Sequence, residues 1–322
     1  MRKFAQAGPV PGSTVMTMRS MLLIAVAGCS GISSDPSDGE LVVDQQTQPT
    51  YLALGGADVY FTSADSSDYR VLRAPKDGGA AEVLGSAGVI FAIVADDTGV
   101  YWVESNAGIG RVMGRPRTAS AAVELGVNPN TFNGYTLRNL AADAQAVYYA
   151  DLTGAVWKTP KAGGGSVELG KTDTSAGSIA LSADTIWVAT LHGAKVFPKA
   201  GGAATELAFS QQLPDDLVWD AGTLFAAFGG TGAEDGEILR VPMTGVPITL
   251  AEGLVLPGSL VSADGSLYVT TGNADASIRR VPHTGGSATA LASGRRPADV
   301  AVDEDFVYWT DPPLGEIRRV AR

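Results

Sequence analysis

Short apolar runs alternate with turns rich in Gly, Pro and Asp along most of the chain. Runs such as Val100–Val103 and Val147–Ala150 combine β-branched and aromatic residues, a composition that is typical of strands. Apolar residues at helical spacing are not sustained anywhere after residue 28. The pattern therefore predicts an all-β protein.

An aliphatic residue followed by an aromatic one recurs at nearly regular intervals. The aromatic members are Tyr60, Tyr101, Tyr148, Trp187, Phe225, Tyr268 and Tyr308. They are separated by 41, 47, 39, 38, 43 and 40 residues, and a period near 40 marks a repeat architecture. Each unit reads as four short strands with the aromatic residue on the second, which predicts a seven-bladed β-propeller over residues 40–322.

A second recurring phrase, Pro-Lys-x-Gly-Gly, predicts the turn between the third and fourth strands. It begins at Pro75, Pro160 and Pro198, and a variant with His in place of Lys begins at Pro282. Proline ends a strand because it has no N–H to donate, and glycine supplies the positive φ that a tight turn needs.

The two ends of the chain predict how the ring closes. The last unit stops at Arg322 after its third strand. The segment before the first unit, Glu40–Val43, resembles the fourth strand of another unit, Thr205–Ala208. We therefore predict that Glu40–Val43 supplies the fourth strand of the last blade, so that no sheet edge is left open at that point.

The repeat region resembles the YWTD, NHL and TolB-like β-propellers. Tyr308–Asp311 spells the YWTD motif, and "YWVE" from Tyr101 and "YYAD" from Tyr148 match it in part. The resemblance implies the fold. Proteins of these families often bind other proteins or act as sensors and scaffolds, and some seven-bladed relatives are lyases or lactonases, so the resemblance implies no single activity.

The first 28 residues have the features of an export signal. Arg19 precedes a short apolar run, Met21–Ala27, which is too short to span a bilayer and is followed by small residues. Val26–Cys29 resembles the bacterial lipobox, in which the Cys is lipid-modified and becomes the first mature residue. Met1, Met16 and Met18 are alternative starts of this signal.

These features predict a signal peptide over residues 1–28, a lipid anchor on Cys29 and a flexible tether over residues 29–39. Ser30 follows the cysteine, and in the bacterial sorting rule that this resembles, Ser permits the outer membrane. The expected location is the outer membrane of the bacterial cell envelope. The sequence does not favour either face of that membrane.

Charge and composition exclude several kinds of function. The formal net charge is -11, which argues against binding nucleic acid, because that affinity rests on Lys and Arg. The single cysteine lies in the signal. The two histidines, His192 and His283, are expected to be exposed turn residues on opposite faces. The sequence thus predicts no catalytic residue, metal site or cofactor, and we expect a monomer.

Acidic residues recur at turns. Those before the second strands, Asp96, Asp143, Asp220 and Asp303, are interpreted as turn caps that accept hydrogen bonds from their own backbone. Glu234, Asp235 and Glu237 lie close in one loop and could bind calcium, although EF-hand spacing is absent.

Two features depart from the repeat and carry the candidate binding residues. One is an insertion at residues 126–139, because loops beyond a scaffold's needs are often functional. The other is the residue before each first strand, where the central funnel opens; this set is Tyr51, Ala92, Asn139, Ser178, Asp216, Ser259 and Asp299. The candidate partner-binding residues are Phe132, Asn133, Tyr135, Arg138, Asn139, Asp216 and Asp299. Such a mouth suits a cation, a sugar or a basic peptide.

The sequence therefore predicts a membrane-tethered envelope lipoprotein whose propeller is a binding or protein-interaction module for an envelope protein, peptide or glycan. One alternative is a carboxylate-based hydrolase or lyase that works in the propeller funnel, with or without a divalent cation. A second alternative is a structural envelope component without a ligand.

Overall fold

The computed structural model describes residues 38–65, 68–106, 108–128, 140–151, 153–173, 176–210, 212–273, 276–293 and 296–322. Its strands form seven antiparallel sheets of four strands each. The prediction of a seven-bladed β-propeller is confirmed. Within the described residues, no helix is long and apolar enough to cross a membrane.

The strands are numbered in chain order and grouped by blade. Blade 1 contains β2 (Leu52–Gly55), β3 (Asp58–Ala64), β4 (Tyr69–Pro75) and β5 (Glu82–Ala87). Blade 2 contains β6 (Val89–Asp96), β7 (Gly99–Asn106), β8 (Ile109–Pro116) and β9 (Val123–Asn128). Blade 3 contains β10 (Leu140–Ala142), β11 (Ala146–Ala150), β12 (Ala155–Pro160) and β13 (Val167–Lys171). Blade 4 contains β14 (Ile179–Leu181), β15 (Thr185–Thr190), β16 (Gly193–Pro198) and β17 (Thr205–Ala208). Blade 5 contains β18 (Asp216–Asp220), β19 (Thr223–Phe228), β20 (Gly236–Val241) and β21 (Ile248–Leu254). Blade 6 contains β22 (Leu260–Ala263), β23 (Ser266–Thr271), β24 (Ser277–Pro282) and β25 (Thr289–Ser293). Blade 7 contains β26 (Val300–Val302), β27 (Phe306–Asp311), β28 (Glu316–Ala321) and β1 (Glu40–Val43).

Strand β1 closes the ring, as the sequence predicts. It pairs antiparallel with β28, with Glu40 opposite Arg319. Val42 and Val43 bury their side chains in the core between blades 7 and 1. The guanidinium of Arg318 donates to the carbonyl of Asp38 at 2.8 Å. Residues 29–37 of the predicted tether lie outside the described residues.

The aromatic residues of the second strands form the core between neighbouring blades, which confirms their predicted role. All seven are at most 4% exposed. Tyr101 of blade 2, for example, shares one cluster with Val147 and Trp157 of blade 3. Fully burying an aromatic side chain of this size stabilises the fold by roughly 2–3 kcal/mol, so the repeat period is the spacing of the main core contacts.

The Pro-Lys-x-Gly-Gly turns have the predicted geometry. In blade 1, the N–H of Gly78 donates to the carbonyl of Pro75 at 3.0 Å. Gly78 and Gly79 have φ values of 92° and 140°, which side chains rarely tolerate.

The turns between third and fourth strands and those between first and second strands lie at the same end of the ring, which we call the bottom face. The opposite end, where blades connect to one another, is the top face.

The lysine of this turn has a role that the sequence did not reveal. Lys199 of blade 4 reaches Asp143 of blade 3, with Nζ 2.9 Å from Oδ2 and 5.4 Å from the ring centroid of Tyr148. The same arrangement, a cation of one blade paired with an acid of the preceding blade, recurs around the bottom face. We call these contacts the bottom pairs; they are Lys76–Asp303, Arg117–Asp58, Lys161–Asp96, Lys199–Asp143 and Arg322–Asp264.

The predicted turn caps are confirmed in three blades. In each, Oδ1 of the Asp accepts two backbone N–H bonds from the residues two and three positions later, at 2.8–3.2 Å. These caps are Asp96, Asp143 and Asp303. Burial acts to raise the pKa of each carboxyl, but the lysine and the N–H donors outweigh it and lower the pKa.

Asp220 and His283, at the junction of blades 5 and 6, differ from the prediction. Asp220 accepts the hydroxyl hydrogen of Ser262 at 2.7 Å rather than capping its own turn. His283 is partly buried, not an exposed turn residue, because its ring packs 4.4 Å from that of Phe225. Its Nε2 lies 2.9 Å from the hydroxyl of Ser262, so the serine bridges the imidazole and the carboxylate.

The junction of blades 4 and 5 is held differently. Ser182 and Met243 stand where other blades have the acid and the cation. Trp187 of blade 4 instead stacks on Trp219 of blade 5, with ring centroids 4.9 Å apart and planes 14° apart. The stack thus joins two blades between which no bottom pair is found among the described residues.

Candidate binding face

The first strands of the blades line a central channel of about 650 Å³. Its walls are aliphatic, and the polar residues of the funnel stand where the channel opens on the top face. The wall residues include Leu52, Leu54, Ile93, Leu140, Ile179, Leu217, Leu260 and Val300. Of the residues predicted at the mouth, those that line the channel are Tyr51, Ala92, Asp216, Ser259 and Asp299.

Asp216 joins three consecutive blades at the mouth. Its Oδ1 accepts the hydroxyl hydrogen of Ser178 in blade 4 at 2.5 Å and the N–H of Leu217 at 2.8 Å. Its Oδ2 accepts the N–H of Leu260 in blade 6 at 2.8 Å.

Asp299 repeats this arrangement two blades further on. Its Oδ1 accepts the hydroxyl hydrogen of Ser259 in blade 6 at 2.6 Å and the N–H of Val300 at 2.9 Å. Its Oδ2 accepts the N–H of Leu52 in blade 1 at 2.8 Å. We call Asp216 and Asp299, with their donors, the mouth clamps; together they link blades 4, 5, 6, 7 and 1.

Both carboxyls have perturbed acidity. Burial raises the pKa of Asp216 to about 6, against the hydrogen bonds from Ser178, Leu260 and Leu217. Burial likewise raises the pKa of Asp299. A raised carboxyl pKa suits a general acid, but a carboxylate has about four acceptor sites, and protein donors take three on each residue. The geometry fits a structural role first, and ligand contact by these two acids stays a prediction.

The predicted insertion is shorter than its proposed bounds. Residues 126–128 belong to strand β9, and Gly126 pairs with Val112 of the neighbouring strand. The prediction was wrong there because a Gly and an Asn in the sequence read as loop residues. Phe132, Asn133, Tyr135, Arg138 and Asn139 lie outside the described residues, so their role stays a prediction.

A groove of about 740 Å³ that the sequence did not predict lies on the top face between blades 4 and 5. Phe209, Phe228 and Leu239 form its apolar floor. The two phenyl rings meet edge to face, with centroids 6.5 Å apart and planes at 82°. The groove is lined by Ala208, Phe209, Ser210, Gln212, Phe228, Gly230, Thr231, Asp235, Glu237 and Leu239.

Two acids stand at the groove. Asp235 accepts hydrogen bonds from the N–H of Thr231 at 3.0 Å and from its hydroxyl at 2.8 Å, and these bonds lower the pKa of Asp235. Glu237 accepts a long bond of 3.4 Å from the hydroxyl of Thr249. No Lys or Arg is among the described residues that line the groove.

The calcium interpretation of Glu234, Asp235 and Glu237 gains no support from the geometry. In the part of the chain that the structure describes, no three His, Cys, Asp or Glu side chains are grouped so that they could hold a metal ion. Asp235 directs its oxygens to Thr231.

No known family profile matches the chain, and no curated protein sequence matches it. Solved structures do. A chain of the mitotic checkpoint complex matches with a TM-score of 0.69 and 12% identity, covering 97% of this chain and 99% of that one. The WD40 β-propeller domain of Doa1 matches with 0.68 and 13%, covering 89% and 97%. BamB from Moraxella catarrhalis matches with 0.55 and 17%, covering 89% and 92%. At these identities the likeness shows the β-propeller fold alone.

Proposed function

We propose that this protein is a membrane-tethered envelope lipoprotein whose propeller is a protein-interaction module. The observation that carries the interaction role is the top face, where the channel mouth and the groove lie side by side. Asp215 links them: it lines the channel mouth, and its Oδ2 accepts the N–H of Gly229, beside the groove, at 2.6 Å.

The scaffold supports this role. The ring closes within one chain, so it needs no second copy and can work as a monomer that presents one rigid face. One structural neighbour is a chain of a complex, the mitotic checkpoint complex. The resemblance to the YWTD, NHL and TolB-like propellers rests on the sequence of Tyr308–Asp311; proteins of these families often bind other proteins, and the resemblance implies no particular reaction.

The membrane anchor rests on sequence. Val26–Cys29 supports lipidation of Cys29, and Ser30 supports the outer membrane. If Cys29 carries the lipid, Cys29→Ala should move the protein from the membrane fraction to the soluble fraction. If Cys29→Ala still binds to membranes from which other proteins have been removed, the lipid anchor on Cys29 is excluded.

The interaction role can be tested by placing a photo-crosslinking amino acid on either face in living cells. Gln212 is exposed at the top face and Thr284 is exposed in a bottom turn. We expect discrete protein adducts from position 212 and none from position 284. Adducts from neither position, or equal adducts from both, would contradict a partner bound at the top face.

A further inference from the structure

We propose that the groove between blades 4 and 5 binds an extended basic segment of the partner protein. An Arg or Lys side chain lies across Phe209 and Phe228, with its charge beside Glu237. This inference rests on the proposed interaction role and specifies the chemistry of the partner.

The floor of the groove suits the stem and the charge of such a side chain. Phe228 and Leu239 are buried, whereas Phe209 keeps part of its ring exposed. Lys and Arg pack their methylene stems on apolar surface while the charged group stays near water. The face of an aromatic ring attracts a cation, so the aromatic pair favours a cation over a neutral polar group.

The acids of the groove lack the cations that neutralise acids elsewhere. On the bottom face, Asp96, Asp143 and Asp303 each have a lysine from the next blade. At the groove, Asp235 stays ionised at neutral pH because the bonds from Thr231 lower its pKa. Among the described residues, the one side-chain partner of Glu237 is Thr249, through a long bond, so its carboxylate can turn to a ligand. The groove therefore offers negative charge that a cation from outside can pair.

The placement of further acids favours a polypeptide over a small amine. Asp215 continues the line of carboxylates from the groove toward the channel mouth, where Asp216 stands. A chain with several cations can follow this line, whereas a single amine can use only one point of it. The formal net charge of -11 adds long-range attraction for a basic segment.

The test uses two labelled peptides that differ only in charge, (Gly-Arg)4-amide and (Gly-citrulline)4-amide, measured by fluorescence anisotropy at physiological salt. We expect the arginine peptide to bind at least tenfold more tightly, because citrulline keeps the shape of the side chain but not its charge. Glu237→Gln and Phe209→Leu should each weaken its binding at least fivefold. Glu252→Gln, an exposed acid on β21 outside the groove, is the matched control and should stay within twofold.

Equal binding of the two peptides, or binding that neither groove variant weakens, would overturn the proposal. Phe209→Leu keeps an apolar side chain, and Glu237→Gln changes a partly exposed group, so both variants should fold; their melting temperatures check this. Crosslinks from position 212 separate the two proposals. If they persist in Glu237→Gln cells at the wild-type level, the interaction role stands and the pairing of a basic segment with Glu237 is excluded.

Discussion

Two aspartates flank strand β26, Asp299 before it and Asp303 after it, and they bind the neighbouring blade in opposite ways. Asp299, at the channel mouth, accepts the N–H of Leu52 of blade 1 at 2.8 Å, and its hydrogen-bond donors among the described residues are all uncharged. Asp303, on the bottom face, pairs with Lys76 of blade 1 at 2.7 Å. Burial raises the pKa of Asp299, whereas the lysine and backbone donors lower that of Asp303 despite burial.

The two residues are of the same type and both are partly exposed, so their surroundings select the partner. At the mouth, a hydroxyl and two backbone N–H groups hold the carboxylate of Asp299 without bringing in a second charge. On the bottom face the side chain of Lys76 is 17% exposed, so its ammonium can pair and stay hydrated. Breaking a contact should cost more where water cannot replace the lost donor or acceptor.

The largest effect on stability is expected when the two aspartates that flank β26 are replaced in turn. Asp299→Ala should lower the free energy of unfolding by about 3 kcal/mol, because it removes the acceptor of the Leu52 N–H and of the Ser259 hydroxyl. Asp303→Ala should lower it by about 1 kcal/mol, since a partly exposed ion pair contributes little. Urea unfolding measures both values.

Asp305→Ala is the matched control for this pair, because Asp305 is an exposed acid of the same turn. It should change the stability by less than about 0.5 kcal/mol. Equal losses of stability for Asp299→Ala and Asp303→Ala would show that the two contacts stabilise the fold equally.

The second prediction uses pH and the other mouth clamp. The folded-state pKa of Asp216 is about 6, above its unfolded value of about 3.9. Its contribution is therefore fully present below about pH 4 and is lost as the pH rises through 6. Between pH 4 and 7, the wild type should lose stability relative to Asp216→Asn, by an amount on the order of 2 kcal/mol.

The capped acids of the bottom face have lowered pKa values, so their contribution is lost only as the pH falls below about 3.8. They are present in both proteins and cancel in the difference. A stability difference between wild type and Asp216→Asn that stays constant from pH 4 to 7 would show that Asp216 is ionised throughout.

The smallest effect is expected for a single bottom pair. Lys161→Gln removes the contact with Asp96 and with the ring of Tyr101, 4.5 Å away. We expect a loss of about 1 kcal/mol at low salt that shrinks in 1 M NaCl, because salt screens a partly exposed pair. The loss in Asp299→Ala should not change with salt, and the exposed Lys171→Gln is the control. A salt-independent loss in Lys161→Gln would assign its effect to packing.

The repeat made the fold readable from the sequence. The period of the aromatic residues located the blade cores, and the similarity of Glu40–Val43 to Thr205–Ala208 located the closing strand. Both patterns are visible in the sequence because every blade packs its core with the same residue types at equivalent positions. The two ends of each first strand were also found, including Asp216 and Asp303.

The partners of those residues could not be found in this way. Lys161 and Asp96 are 65 positions apart, and each taken alone reads as an ordinary turn residue. Asp216 is held partly by the N–H of Leu260, and a backbone group leaves no mark in a sequence. The groove has no signature either, since Phe209, Phe228 and Glu237 come from separate segments that meet only in the folded ring.

The closing strand also sets the order in which the ring can form. Blades 1 to 6 each arise from one continuous stretch, so each can fold soon after it is synthesised. Blade 7 cannot, because Glu40 meets Arg319 across 279 positions. Closing a loop of that length costs conformational entropy, and this cost arises before any contact of β1 stabilises the fold. Strand β1 is therefore made before the seven blades but is used only after β28 exists, and refolding should end in a slow phase that joins β1 to blade 7.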